Sequence, residues 1–195
     1  MPNAARRSER SRTAILDATL ALLHEVGYTD LTIEAIAARA GVGKQTIYRW
    51  WKGRGAVVLD ALAEQAAATA SAALPDTGDL EADLRPVVRA IVAELADPRL
   101  SATTRALTIE TLASETYAEK VRDLLLRPQL DSIKDRLRSA RAAGHLRADA
   151  DLDQAVELFI GPVYHRWMLR TGPLTEEYAD GVVDLGLAAL RPSRP

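Results

Sequence analysis

Cysteine is absent, and its absence removes disulfide frameworks, thiol nucleophiles, thiolate zinc sites and iron–sulfur clusters together. Aromatic residues are scarce at 5%, with a single phenylalanine, which argues against a sheet-rich core. No apolar run approaches the roughly 18 residues of a membrane span. The basic opening from Met1 to Arg12 is followed by no secretory-type apolar core, so a soluble cytoplasmic protein is expected. Helix formers are what the chain has in quantity: 35 alanines and 27 leucines among 195 residues predict an all-α fold and nearly exclude an all-β one. At 48% hydrophobic, the chain can bury a sizeable core and is not expected to be disordered.

The formal charge of −2 hides an asymmetry. Residues 1–56 hold nine basic side chains (among them Arg6, Arg7, Arg10 and Arg12) against five acidic, a net +4, and the remainder carries −6. A basic head on an acidic body suggests that the head alone meets a polyanion.

Three helices are predicted in the head. Ile15, Ala18, Leu22 and Val26 repeat at three- and four-residue steps over 8–26, and Gly27 stops that helix. Thr32 is an N-cap candidate for a short helix over 33–40, with Glu34 in its positive first turn and Leu31 and Ile36 spaced as a hydrophobic staple. Gly41-Val42-Gly43 then breaks the chain, and a helix resumes over 44–51 with Ile47 and Trp51 on one face. Two short helices joined by a glycine-containing turn and braced by a longer one describe a helix-turn-helix. Six more helices are expected, at 54–73, 80–96, 100–114, 117–143, 151–170 and 176–190, about nine in all. Pro128 should kink the seventh. The boundary is drawn between a head of residues 1–55 and a body of 56–195.

Several chemical motifs fail on inspection. Gly41 to Thr46 imitates a phosphate-binding loop, but Ala38 stands where its first glycine is needed and Gln45 where a hydroxyl residue must follow the lysine. His24, His145 and His165 fall in separate segments without a second ligand at i+3 or i+4, so no metal site is encoded. Paired carboxylates such as Glu176-Glu177 lie at helix starts, where the macrodipole accounts for them. No catalytic residue, metal or cofactor is expected.

The chemistry lies in the third helix. A recognition helix enters the major groove N-terminus first, which puts Lys44 and Gln45 against base edges: lysine suits guanine O6 and N7, and glutamine suits adenine N6 and N7. Tyr48, Arg49, Trp50, Lys52 and Arg54 follow closely, in place to flank the phosphates. With Ile47 and Trp51 turned to the core, Trp50 is left facing outward, where it wants a partner.

These residues resemble the TetR family of bacterial transcriptional regulators. Its signature, G-[YF]-x-x-[TL]-[TS] and then G-V-[SG]-x-x-[TL]-[IL]-Y, reads here as Gly27-Tyr28-Thr29-Asp30-Leu31-Thr32 and Gly41-Val42-Gly43-Lys44-Gln45-Thr46-Ile47-Tyr48, with Trp50-Trp51 as the aromatic pair. The resemblance implies that Lys44 and Gln45 read bases and that Thr32, Thr46, Tyr48, Trp50 and the basic residue opening the fourth helix hold phosphates. Arg54 stands where the family usually has lysine, and Gly55 follows it where most relatives have Ala or Glu, so a looser helix start is expected.

For the body the resemblance implies a ligand cavity and a dimer interface, and Gly144-His145-Leu146-Arg147 with Gly161-Pro162-Val163-Tyr164 looks like one large C-terminal subgroup common in actinobacteria. The eighth predicted helix is apolar on more than one stripe, so one side can meet its own core and another a second copy. Leu152, Val156, Ile160 and Val163, with Val182, Val183, Gly186 and Leu190, are the interface candidates, and Tyr117, Tyr164, His165, Trp167 and Met168 the pocket candidates. The expected function is a dimeric repressor that binds a double-stranded palindromic operator and is released by a small-molecule effector. The alternatives are an all-α protein acting through protein partners, a constitutive DNA-binding regulator, and an enzyme.

Overall fold

The structure is a computed structural model that describes residues 2–69 and 74–192. Among these it is helical throughout and has no strand. The helices are α1 (Pro2–Asp30), α2 (Ile33–Ala40), α3 (Lys44–Trp50), α4 (Arg54–Thr69), α5 (Leu80–Ala96), α6 (Pro98–Ala113), α7 (Glu115–Val121), α8 (Arg127–Ala142), α9 (Leu152–Leu169) and α10 (Glu176–Leu190). The expected end of the fourth helix, at 70–73, lies outside the described residues.

The chain forms two compact units. One joins the described residues up to 69 to Ala102–Leu125, and the other joins 74–101 to those from 126 onward. This division differs from the sequence boundary at 55. The first turns of α4 send Val57, Val58 and Ala61 into the same cluster as Ile15, Ile36 and Ile47, and Leu107, Tyr117 and Leu125 pack there too. A helix start that looked like an exit from the head is therefore part of its core.

Local signals carried most of the first unit. Thr32 Oγ1 accepts from the Ala35 amide at 3.1 Å, and Leu31 and Ile36 are fully buried. Gly41 closes α2 at φ 66°, a left-handed conformation that a Cβ would penalise, and its amide donates back into α2. Gly27, at φ 76°, interrupts α1 as expected, and one further helical turn follows it.

In the second unit, α5, α8, α9 and α10 close around Leu84, Val88, Leu137, Phe159, Val163 and Val183. Gly186 permits the approach of α10 to α9: an ideal Cβ there would stand 2.5 Å from Phe159 Cε1. The predicted seventh helix divides into α7, a π-helical turn at Arg122–Leu126, and α8. Pro128, in the first turn of α8, has no amide to offer the preceding turn and its ring crowds the carbonyl four residues back, so the extra residue collects just upstream. This interior also holds a charged pair. Asp83 of α5 and Arg136 of α8 form a buried pair, Arg136 Nε donating to Asp83 Oδ2 at 2.7 Å, and Thr77 donates to the same carboxylate through its amide and hydroxyl. Burial pushes the Asp83 carboxyl up, but the Arg136 and Thr77 hydrogen bonds outweigh it and hold the group below its ordinary value.

Candidate nucleic-acid interface

The outward face of α3 carries the residues the sequence singled out. Lys44, Gln45, Tyr48, Arg49 and Trp50 are exposed, Thr46 is half-buried, and Ile47 is wholly buried beneath them. The tryptophan pair divides as expected. Trp51 is buried and its Nε1 donates to Asp60 Oδ2 at 2.8 Å, whereas Trp50 is 42% exposed with the Arg49 guanidinium 6.0 Å from its ring centroid. Such a face offers apolar surface and cationic donors together.

Several of the head's basic side chains have partners within it, Arg12 with Glu9 and Glu64 among them. Lys44 Nζ donates to Glu34 Oε1 at 2.9 Å, and this contact raises the lysine pKa and lowers that of the glutamate. Arg39 pairs bidentately with Glu25 at 2.9 and 2.6 Å. Arg54, expected at the phosphates, turns Nη1 toward the Leu31 carbonyl at 2.7 Å, and its guanidinium covers the Tyr28 ring at 4.3 Å. Arg54 thus clamps the segment that leads into Thr32 and shapes the interface from behind. Lys52 is exposed.

Sequence reasoning gave Glu34 only a helix-start role and missed its pairing with Lys44. The signal was obscure, because a carboxylate and an ammonium ten residues apart meet only once the turn between α2 and α3 has its shape.

The body candidates separate. Tyr164 and Trp167 make an edge-on ring contact at 5.9 Å, and Trp167 Nε1 donates to Ser101 Oγ at 2.7 Å. Tyr117 belongs to the first unit, where its hydroxyl donates to the Gly55 carbonyl at 3.1 Å, close to Glu110. His165 and Met168 are exposed on α9. The five are split between the two units, Tyr117 in the first and the others in the second. A surface crevice of about 430 Å³, bordered by Asp79, Glu81, His145, Leu146, Leu187 and Arg191, includes none of them.

The interface candidates are corrected likewise. Leu152, Val156, Val163, Val182, Val183, Gly186 and Leu190 are all buried in their own unit, and Ile160 is half-buried against it. These residues fill the protomer's core and leave almost no surface for a second chain. On these two helices the exposed large apolar side chains are Leu158, Met168 and Leu169 on α9 and Leu185 on α10, the last 75% exposed.

Two family descriptions match the chain. Residues 15–61 match the bacterial regulatory proteins of the tetR family, and residues 74–185 match the tetracyclin repressor-like C-terminal domain. The chain belongs to the TetR family. The uncharacterized HTH-type transcriptional regulator YdeS of Bacillus subtilis (strain 168) is 30% identical over 91% of this chain and 88% of its own length. Among solved structures, the TetR family transcription regulator SCO0332 is 31% identical with a TM-score of 0.78, covering 93% of this chain and 99% of that one. SmeT, the repressor of the Stenotrophomonas maltophilia multidrug efflux pump SmeDEF, is 28% identical with a TM-score of 0.57, covering 92% and 90%. The protein is accordingly a DNA-binding transcriptional regulator with a helix-turn-helix head, and this family is one of regulators and not of enzymes. Among the described residues no helix is long and apolar enough to cross a membrane, and no group of three or more potential ligands could hold a metal ion.

Proposed function

We propose that the protein is a cytoplasmic repressor that binds a palindromic operator as a homodimer and leaves it when a small molecule binds its C-terminal unit. Lys44 and Gln45 read base edges, while Thr32, Thr46, Tyr48, Arg49, Trp50 and Lys52 hold the backbone. Arg54 supports them by fixing the chain before Thr32. The observation that carries the dimer is the apolar surface of α9 and α10 left open in the single chain, with Leu158 and Leu185 on it. Two-fold symmetry then requires two half-sites related by a dyad. Release by an effector is supported by the relation to SmeT, a repressor of an efflux pump.

The test is selection of bound DNA by the full-length chain, footprinting of the selected site, and titration of the complex with a library of apolar and amphipathic compounds. Two protected half-sites and release by at least one compound are expected. Coupling is reciprocal, so the operator should weaken that compound by the same factor, commonly about 5–150-fold. A single unrepeated half-site would remove the dimer, and indifference to every compound would make this a constitutive DNA-binding regulator.

A further inference from the structure

The ion pair between Lys44 and Glu34 stands on the surface that the DNA must meet. Lys44 opens α3, Glu34 lies in the first turn of α2, and their side chains are 53% and 64% exposed at a separation of 2.9 Å. An exposed pair of this kind contributes little to folding. A carboxylate on this face is also repelled by phosphate whatever the base sequence, so it lowers the affinity for all DNA. What it can supply in return is direction. A lysine by itself is a mobile point charge that reaches any nearby phosphate. Tied to Glu34, the ammonium has one of its three hydrogens committed and two remaining.

We propose that Glu34 is a specificity-determining positioning residue that turns Lys44 from a general phosphate anchor into a directed donor to one base edge. The proposal rests on the assignment of Lys44 to base readout. Guanine presents O6 and N7 side by side in the major groove, a match for two remaining donors. The pair is electrically neutral overall, so it displaces almost no counterion and adds little to binding on random sequence. Its contribution is concentrated where the base fits. Glu34 also lies where a carboxylate favours the start of α2, and a residue acting only there would alter stability without altering base preference.

The experiment compares the wild-type full-length chain with Glu34→Gln, Glu34→Ala and Lys44→Met by DNA selection, by titration on selected and random duplexes across a salt series, and by thermal melting. Both Glu34 variants should bind random DNA more tightly, by about fivefold per head, the scale of a released surface ion pair. Their salt dependence should steepen by roughly one phosphate contact per head. Their preference should flatten at one position of each half-site and persist at the others. In the Lys44→Met background, removing the Glu34 charge should leave that position unchanged. If Glu34→Gln and Glu34→Ala keep the wild-type base profile and salt slope and shift only the melting temperature, Glu34 is a helix-start residue and the proposal fails. If the wild type itself selects no defined site, the reading head's assignment fails first, which is a separate outcome.

Discussion

Trp51 and Asp60 are joined by a 2.8 Å hydrogen bond inside the head, while Trp50, one residue earlier, stands open to solvent. The two neighbouring indoles therefore have separate duties, one in folding and one in binding. Trp51→Phe keeps an aromatic ring, though a smaller one, and leaves the Asp60 carboxylate without the indole N–H donor. It should lower unfolding stability by about 1.5–3 kcal/mol, the range for a hydrogen bond to a charged group. Trp50→Ala should change stability by less than about 0.5 kcal/mol and weaken binding to all duplexes alike. Urea denaturation and duplex titration on both variants check this, and the reverse pattern would exchange the two roles.

That division was legible in the sequence because it depends on short-range geometry: Ile47 and Trp51 are four apart, so a helical turn sends both inward and leaves Trp50 outside. The cap at Thr32 and the turn at Gly41 were legible for the same reason. The limits appear where two stripes of one helix compete. Val156, Val163 and Val183 read as well for a partner surface as Leu158 and Leu185 do, and periodicity cannot say which stripe the chain's own core will take. The structure gives the core Val156, Val163 and Val183 together with Leu152, Leu187 and Leu190, and leaves Leu158 and Leu185 outside. Arg54 shows another limit. Its charge and position matched a phosphate anchor, yet the Leu31 carbonyl and the Tyr28 ring lie within its reach once α4 is docked. The π turn after Val121 was half legible, since Pro128 announced a break but not its form.

Acid should loosen the contact between α5 and α10 only at a pH below the range where ordinary carboxylates titrate. Asp180 accepts two hydrogen bonds from Arg89, at 2.8 and 2.6 Å, and lies 3.2 Å from Arg85. The Arg89 bonds, aided by Arg85 and opposed by burial, hold its pKa at about 2 against an ordinary value of 3.8. Because the folded value is the lower one, the unfolded chain takes up a proton first, and the stabilisation present above pH 3.8 is lost as pH falls toward 2. The slope of stability against pH in that window should be steeper in the wild type than in Asp180→Asn, by up to one proton. Denaturant midpoints measured from pH 5 to pH 2 test it, and parallel curves for the two proteins would refute it.

Leu185 and Gly186 are adjacent on α10, the first exposed and the second buried, which lets folding and assembly be separated by two neighbouring substitutions. Gly186 has no room for a methyl group against Phe159, so Gly186→Ala must push the ring or the helix aside, a core strain of about 1–3 kcal/mol within the single chain. Leu185 is 75% exposed, so Leu185→Arg should alter the stability of the single chain by no more than about 0.5 kcal/mol. If α9 and α10 meet a second copy through their outward leucines, an arginine there buries an unpaired charge at a two-fold contact, where the substitution is felt twice. Sedimentation velocity should then find Leu185→Arg monomeric at concentrations where the wild type and Gly186→Ala are dimeric. Operator binding should fall with it by about 100-fold or more, since two half-sites no longer engage a tethered pair of heads. Binding to an isolated half-site should stay as it was, because nothing on α3 has changed. A Leu185→Arg protein that remained dimeric and kept its operator affinity would place the contact between copies on some other surface.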